Sequence, residues 1–113
     1  MNVTGIDALY YLVKDLDRAT TFYRDVLGLK PAAGAMAEFA LPDGATFGLY
    51  KPERDADWHA SGGVMFAVPD AAAAVSELRG RGISISEPME TPACFMGFGE
   101  DTEGNGFIIH QRK

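Results

Sequence analysis

The sequence is poor in cysteine and in long apolar runs, and both shortages narrow the class of protein. Its 113 residues include one cysteine, Cys94, so no intrachain disulfide can form and a reducing compartment is indicated. No apolar run approaches the ~20 residues that a membrane span needs. The N-terminus shows no basic region followed by an apolar one, so no signal peptide is visible. We therefore expect a cytoplasmic protein without membrane association.

Basic residues are also scarce. The chain has ten lysines and arginines and 16 aspartates and glutamates, which gives a formal net charge of -6 and a pI of about 4.7. Nucleic-acid binding requires a basic surface, so we expect no nucleic-acid partner. The acidic balance is compatible with a cationic or neutral small ligand, although it also favours solubility by itself.

The sequence does contain a repeated pattern of strand, capped helix and glycine stop. Aromatic and β-branched residues at 10–13 favour a strand, and Asp15 follows where a helix N-cap belongs. Apolar residues at helical spacing then lead to Gly28, which is suited to the left-handed backbone after a helix. The same order recurs in the second half, with Asp70 as the cap and Gly82 as the stop. This repeat predicts two similar halves.

Each half is predicted to be a βαβββ module. Helices are predicted at 16–27 and 71–81, and the segment 88–92 is predicted to be a loop. Strands are predicted at 6–13, near 30, and at 36–41, 46–51, 63–68, 83–86, 93–100 and 106–111. One half is too small to cover both sheet faces alone, so the halves must pack or pair. We expect one α+β domain over 1–113, with modules at about 4–51 and 63–111 and a linker at 52–62.

These motifs, in this order, resemble the vicinal oxygen chelate superfamily of glyoxalase I, bleomycin-resistance proteins, fosfomycin-resistance enzymes and extradiol dioxygenases. The resemblance rests on Val13-Lys14-Asp15-Leu16-Asp17-Arg18-Ala19, Phe22-Tyr23, Val26-Leu27-Gly28-Leu29, Val68-Pro69-Asp70 and Glu100-Asp101-Thr102-Glu103-Gly104-Asn105. It implies two βαβββ modules, each an open half-barrel around a cavity. It also implies a homodimer, either side by side or module-exchanged.

The resemblance also identifies the positions at which metalloenzymes of the superfamily hold their metal. In this sequence those four positions are Ala8, Gly48, Gly63 and Ile108. Zinc, nickel, iron or manganese needs imidazole, thiolate or carboxylate ligands, which none of these side chains offers. We therefore expect no metal and no cofactor, and metal-dependent glyoxalase or dioxygenase activity is not expected.

Strand alternation then predicts which side chains line the cavity, because residues two apart share a face. The predicted ligand-binding residues are Ala8, Tyr10, Gly48, Tyr50, Gly63, Met65, Ile108 and His110. Trp58 in the linker is added as a residue that could cover the cavity mouth and stack on a ligand. Apolar walls with a few polar groups are typical of small-molecule pockets. The alternative is that these side chains only fill the core.

Two chemical roles stay open at this point. His110 could act as a general base, although no serine, cysteine or carboxylate partner is evident in the sequence. Cys94 is more simply read as a buried, inert thiol.

The first hypothesis is a metal-independent protein that binds a small aromatic or amphipathic molecule. The alternatives are a cofactor-free isomerase or lyase that uses His110 with Tyr10 or Tyr50, and a metal-dependent lyase with relocated ligands such as His59, His110 and Glu100.

Overall fold

Each half of the chain folds around its own four-stranded sheet. A computed structural model describes residues 1–33 and 37–113, which form two compact units at 1–59 and 60–113. The start of the predicted strand at 36–41 lies outside these described residues. Within the described ranges, no helix has the length and apolar character needed to cross a membrane.

Over its described residues, unit one contains four strands and one α-helix. The elements are β1 (Leu9–Leu12), α1 (Leu16–Thr21), β2 (Lys30–Pro31), β3 (Glu38–Ala40) and β4 (Thr46–Tyr50). The sheet order is β1-β4-β3-β2, with β1 parallel to β4 and the other pairs antiparallel. Strand β1 is shorter than the predicted 6–13, because it lies at the edge of the described sheet and pairs there with β4, which spans five residues.

The first helix begins as predicted and then changes its winding. The Asp15 carboxylate accepts a hydrogen bond from the backbone N–H of Arg18 at 3.0 Å, which satisfies one of the unpaired N–H groups of the first turn. The predicted helix over 16–27 is α-helical to Thr21 and continues as a π-helical segment, Phe22–Val26. Consecutive Phe22 and Tyr23 are both buried in this segment, with their rings edge to face at 5.1 Å.

Aromatic rings form the centre of the unit-one core. The ring of Phe47 lies 5.0 Å from Tyr23 and 5.1 Å from Tyr11, and Phe39 lies 6.4 Å from Tyr23. All four side chains are almost fully buried. Because Tyr11, Phe39 and Phe47 come from three neighbouring strands and point the same way, they define the helix-covered face of the sheet.

Unit two repeats this plan with longer strands. Its elements are β5 (Val64–Ala67), α2 (Ala71–Gly80), β6 (Met89–Glu90), β7 (Cys94–Glu100) and β8 (Gly106–Arg112). The sheet order is β5-β8-β7-β6, again with one parallel pair. Asp70 caps α2 by accepting from the N–H of Ala73 at 3.0 Å. The expected fold, an α+β arrangement of two βαβββ modules, is thus confirmed.

One strand of unit two lies elsewhere than the sequence predicts. The segment 83–86 makes only an isolated bridge between Ile85 and Gly99, and β6 forms at Met89–Glu90 inside the predicted loop 88–92. The hydroxyl of Ser86 accepts the N–H of Phe98 at 2.9 Å. A side chain therefore takes a hydrogen bond that a regular ladder gives to a backbone carbonyl, and pairing does not propagate.

Candidate ligand-binding faces and a cationic cavity

Each sheet has one face covered by its helix and one open face. The open face of unit one consists of Tyr10, Leu12, Glu38, Gly48 and Tyr50. The open face of unit two consists of Met65, Met96, Phe98, Ile108 and His110. The strand registers place these residues on the side opposite the buried cores. Most predicted ligand-binding residues therefore lie on the two open faces, while their binding role stays a prediction.

A polar pair crosses the open face of unit one. Tyr10 pairs with Gly48 across β1 and β4, and Gly48 pairs with Glu38 across β4 and β3. The three residues therefore form one row, in which the Tyr10 hydroxyl reaches across Gly48 and donates a hydrogen bond to Glu38 Oε1. The Tyr10 side chain remains 46% exposed. The row thus presents an aromatic ring and a carboxylate together to solvent.

The missing side chain of Gly48 makes this row possible. A Cβ atom at Gly48 would lie 2.3 Å from Tyr10 Cε1 and 2.7 Å from two further ring atoms. The glycine therefore does not leave an empty space on the open face. It provides the surface on which the Tyr10 ring lies, and it sets the distance that the hydroxyl spans to Glu38.

The hydrogen bond to Glu38 also alters the acidity of Tyr10. It raises the pKa of the Tyr10 hydroxyl above its ordinary value of 10.0, and partial desolvation and the negative charge of Glu38 act in the same direction. Tyr10 is therefore a neutral hydrogen-bond donor near pH 7. A raised pKa makes it a poor candidate for a general base.

Sequence reasoning missed Glu38 as a site residue. The signal was present, because Glu38 is an isolated charge within the apolar run Ala37-Glu38-Phe39-Ala40-Leu41. The register places Glu38 opposite Gly48, because five residues, 41–45, separate the paired Ala40 and Thr46, one more than the predicted turn at 42–45. An acidic side chain in such a strand points to the solvent face, next to the predicted Tyr10.

The open face of unit two is apolar with one imidazole. Met65, Ile108 and Phe98 form one row across three strands, and His110 pairs with Met96 in the next row. Met65 is 52% exposed and Phe98 is 44% exposed, which is high for such large apolar side chains. Within the described part of the chain, the His110 imidazole has no side-chain hydrogen-bond partner. This face offers contact area and little polar chemistry.

The remaining predicted residues lie just outside the strands or away from the open faces. Ala8 precedes β1 and Gly63 precedes β5. Gly63 has a φ of 94°, so its backbone conformation alone favours glycine at this position. The buried Sγ atom of Cys94 lies 3.1 Å from the Thr91 hydroxyl. Over residues 1–33 and 37–113, no group of three or more histidine, cysteine, aspartate or glutamate side chains is placed to hold a metal ion.

Trp58 lies at a separate cavity of unit one rather than among the open-face residues. We call this space of about 300 Å³ the Trp58 cavity; its lining residues are Val13, Lys14, Lys51, Pro52, Arg54, Asp55 and Trp58. It lies where β1 and β4 end and the segment 52–58 begins, and that segment contains the short 3₁₀ helix Asp55–Asp57. The indole Nε1–H donates to the carbonyl oxygen of Leu12 at 3.1 Å.

The two βαβββ units, each with a helix on one face of a four-stranded sheet, define an α+β protein of repeated modules. Residues 5–109 match the Glyoxalase/Bleomycin resistance protein/Dioxygenase superfamily. The chain belongs to this superfamily, which confirms the resemblance drawn from the ordered motifs.

Solved structures share the fold at low sequence identity. An antibiotic-binding protein from Streptomyces sp. CB03234 has a TM-score of 0.81 at 19% identity, covering 100% of this chain and 99% of that one. A lactoylglutathione lyase from Agrobacterium tumefaciens has a TM-score of 0.75 at 20% identity, covering 97% and 95%. A superfamily member from Sphaerobacter thermophilus has a TM-score of 0.77 at 20% identity, covering 96% and 98%. No match was found among curated proteins.

Proposed function

We propose that this chain is a metal-independent binding protein for a small aromatic or amphipathic molecule, which it holds on the open sheet faces. The observation that carries the proposal is the row of Tyr10, Gly48 and Glu38, where an exposed ring and a carboxylate are held side by side. An aromatic ring next to a negative charge suits a planar ligand that is cationic or neutral. The net charge of -6 favours the same sign of ligand.

Exposed aromatic area supplies the affinity in this proposal. Tyr10 is 46% exposed and Tyr50 is 53% exposed on the same face. Covering the exposed half of each ring with a flat ligand removes apolar area worth roughly 2 kcal/mol per ring, before the costs of association. On unit two, Met65 and Phe98 offer similar area, and methionine adapts to the shape of a ligand.

The metal-independent part of the proposal rests on side-chain chemistry. Ala8, Gly48, Gly63 and Ile108 are the positions that the superfamily resemblance assigns to metal ligands, and none of their side chains carries a donor atom. The antibiotic-binding Streptomyces protein shows that a binding role occurs on this fold. The proposed assembly is a homodimer, as the superfamily resemblance implies, and the proposed location is the cytoplasm.

Titration with two matched probes tests the proposed ligand chemistry. Naphthalene-2-carboxamidinium and naphthalene-2-carboxylate share one planar ring system and carry opposite charges. We expect the amidinium to bind the open face of unit one more tightly than the carboxylate, with both affinities measured from the shift of the Gly48 backbone amide resonance, which reports on that face. Glu38→Gln should weaken amidinium binding about tenfold, which corresponds to about 1.4 kcal/mol for one charge-assisted contact.

Glu77→Gln is the matched control, because it removes the same charge from the exposed side of α2 in unit two. Equal losses of amidinium affinity in the two variants would refute a role for Glu38 beyond net charge.

Native mass spectrometry of protein purified without chelator tests whether the protein binds a metal ion. Stoichiometric nickel, zinc or iron would contradict metal independence.

The enzyme alternative is separated by one further substitution. His110 lies on the open face of unit two, so a cofactor-free isomerase or lyase would use its imidazole to move a proton. His110→Ala should then abolish turnover. Under the binding proposal, His110→Ala should change the ligand affinity only modestly, because the ligand loses contact with one ring on a face that also carries the neighbouring Met96.

A further inference from the structure

The Trp58 cavity differs in charge from the rest of this acidic chain. Lys14, Lys51 and Arg54 line it, whereas Asp55 is the one acidic residue in the lining. Three of the chain's ten basic residues therefore meet at one cavity, and the lining carries a net charge of +2. Asp57 lies nearby and pairs with Arg54, and counting it leaves the cavity at +1. A cationic cavity in a protein of net charge -6 selects for anions.

The guanidinium of Arg54 is paired with Asp57. Its Nε and Nη2 atoms donate to the two carboxylate oxygens of Asp57 at 2.9 and 2.7 Å. This bidentate pair is exposed to solvent, and it neutralises part of the guanidinium charge. The lysine ammonium groups, which have flexible stems, are then the groups that can close on a ligand.

Trp58 supplies a fixed apolar wall. The hydrogen bond from its indole to the Leu12 carbonyl holds the ring in place, and the side chain is only partly exposed. The Lys14 Nζ atom lies 3.9 Å from the ring centroid. Such a cation–π contact is weak at an exposed site, so an anion can draw the ammonium into a stronger charge-assisted contact.

We infer that the Trp58 cavity is a second binding site, which takes a small planar organic carboxylate. The carboxylate meets Lys14 and Lys51, and its planar body packs against the Trp58 ring and buried Pro52. A volume of about 300 Å³ lies at the lower end of small-molecule pockets, so the ligand is small. This inference does not rest on the proposed function, because the cavity shares no residue with the open face of unit one.

The chain provides its own reporter for this site. Trp58 is the only tryptophan, so its indole N–H gives a single resonance in a ¹H–¹⁵N correlation spectrum. Naphthalene-2-carboxylate should shift that resonance in a saturable manner. Naphthalene-2-carboxamidinium should leave it in place, because the same ring then carries the wrong charge. The Gly48 amide reports on the open face in the same spectra, so failure of one site is distinguished from failure of the other.

Single lysine substitutions test the charge contacts. Lys14→Gln and Lys51→Gln should each weaken naphthalene-2-carboxylate binding about five- to tenfold. Lys30→Gln is the matched control, because Lys30 lies on β2, at the opposite edge of the sheet from β1. It should leave the affinity unchanged, and an unshifted Gly48 amide shows that each variant is folded.

Three results would overturn the inference. The first is an indole resonance that does not move with the carboxylate, and the second is an equal loss of affinity in Lys14→Gln, Lys51→Gln and Lys30→Gln. The third concerns inorganic phosphate. If phosphate shifts the Trp58 indole as strongly, at the same concentration, as naphthalene-2-carboxylate, then the cavity holds an oxyanion and the planar body contributes nothing.

Discussion

Two glycine-to-alanine substitutions, each facing an aromatic ring on a neighbouring strand, should differ in how much they destabilise the protein. A methyl group at Gly99 would lie 2.4 Å from Phe107 Cζ, and one at Gly48 would lie 2.3 Å from Tyr10 Cε1. Both distances are shorter than carbon atoms tolerate, so a ring must move in each case. The rings differ in freedom, because Phe107 is 1% exposed and Tyr10 is 46% exposed.

The substitution that faces the buried ring should lower the free energy of unfolding more. Phe107 cannot leave the core, so Gly99→Ala overpacks it at a cost of about 1–3 kcal/mol, reduced by about 0.5–1 kcal/mol because alanine loses less backbone entropy than glycine. Tyr10 can swing into solvent. Gly48→Ala then loses one solvent-exposed hydrogen bond, which contributes little to stability, and gains the same backbone term. We expect a net loss of about 1–2 kcal/mol for Gly99→Ala and a change near zero for Gly48→Ala.

Urea and thermal unfolding followed by circular dichroism measure both changes. At this chain length, about 4 °C of Tm corresponds to 1 kcal/mol, so Gly99→Ala should lower Tm by about 4–8 °C. Gly48→Ala should leave Tm nearly unchanged and weaken binding of naphthalene-2-carboxamidinium. A Gly48→Ala variant less stable than Gly99→Ala would refute the argument that ring exposure determines the cost.

Further predictions concern the helix caps, the tyrosine and a buried amide. Asp15→Ala and Asp70→Ala should each destabilise by about 1 kcal/mol in urea unfolding, because each carboxylate accepts an N–H of the first helical turn. The difference in absorbance between wild type and Tyr10→Phe follows the titration of Tyr10 alone. The pKa obtained in this way should lie above 10.0, and in Glu38→Gln it should return toward that value. Because the folded pKa is raised, the stabilising contribution of Tyr10 is full below pH 10.0 and is lost as pH rises through the folded value. Asn105→Ala should cost about 1–3 kcal/mol in unfolding experiments, because the fully buried amide accepts a backbone N–H at 2.7 Å.

Local signals in the sequence were sufficient for the helices and the module repeat. Asp15 and Asp70 were expected as caps because a short carboxylate competes well for the free N–H groups of a first turn, and both make that hydrogen bond. Alternation also predicted that Gly48 and Tyr50 share one face and that Ile108 and His110 share another, and the strand registers agree, since side chains of a strand alternate strictly.

Contacts between distant segments escaped the same reasoning. The strand predicted at 83–86 fails because Ser86 uses its hydroxyl for the N–H of Phe98. Glu38 was missed because its partner Tyr10 is 28 residues away and lies on a strand that is not its neighbour. Trp58 was placed at the mouth of the predicted cavity, whereas its indole bonds the Leu12 carbonyl 46 residues earlier. No local pattern encodes these distances.

The sequence by itself determined the class of this protein: the capped helices, the repeat of βαβββ modules and superfamily membership all follow from short-range propensity and motif order. Only the tertiary structure decided which chemistry the surfaces carry. It brought Glu38 to Tyr10 across a glycine, and it gathered Lys14, Lys51 and Arg54 around one cavity. The physical reason is that propensity acts within a few residues, whereas charge and ring contacts depend on sheet register and on where strands end.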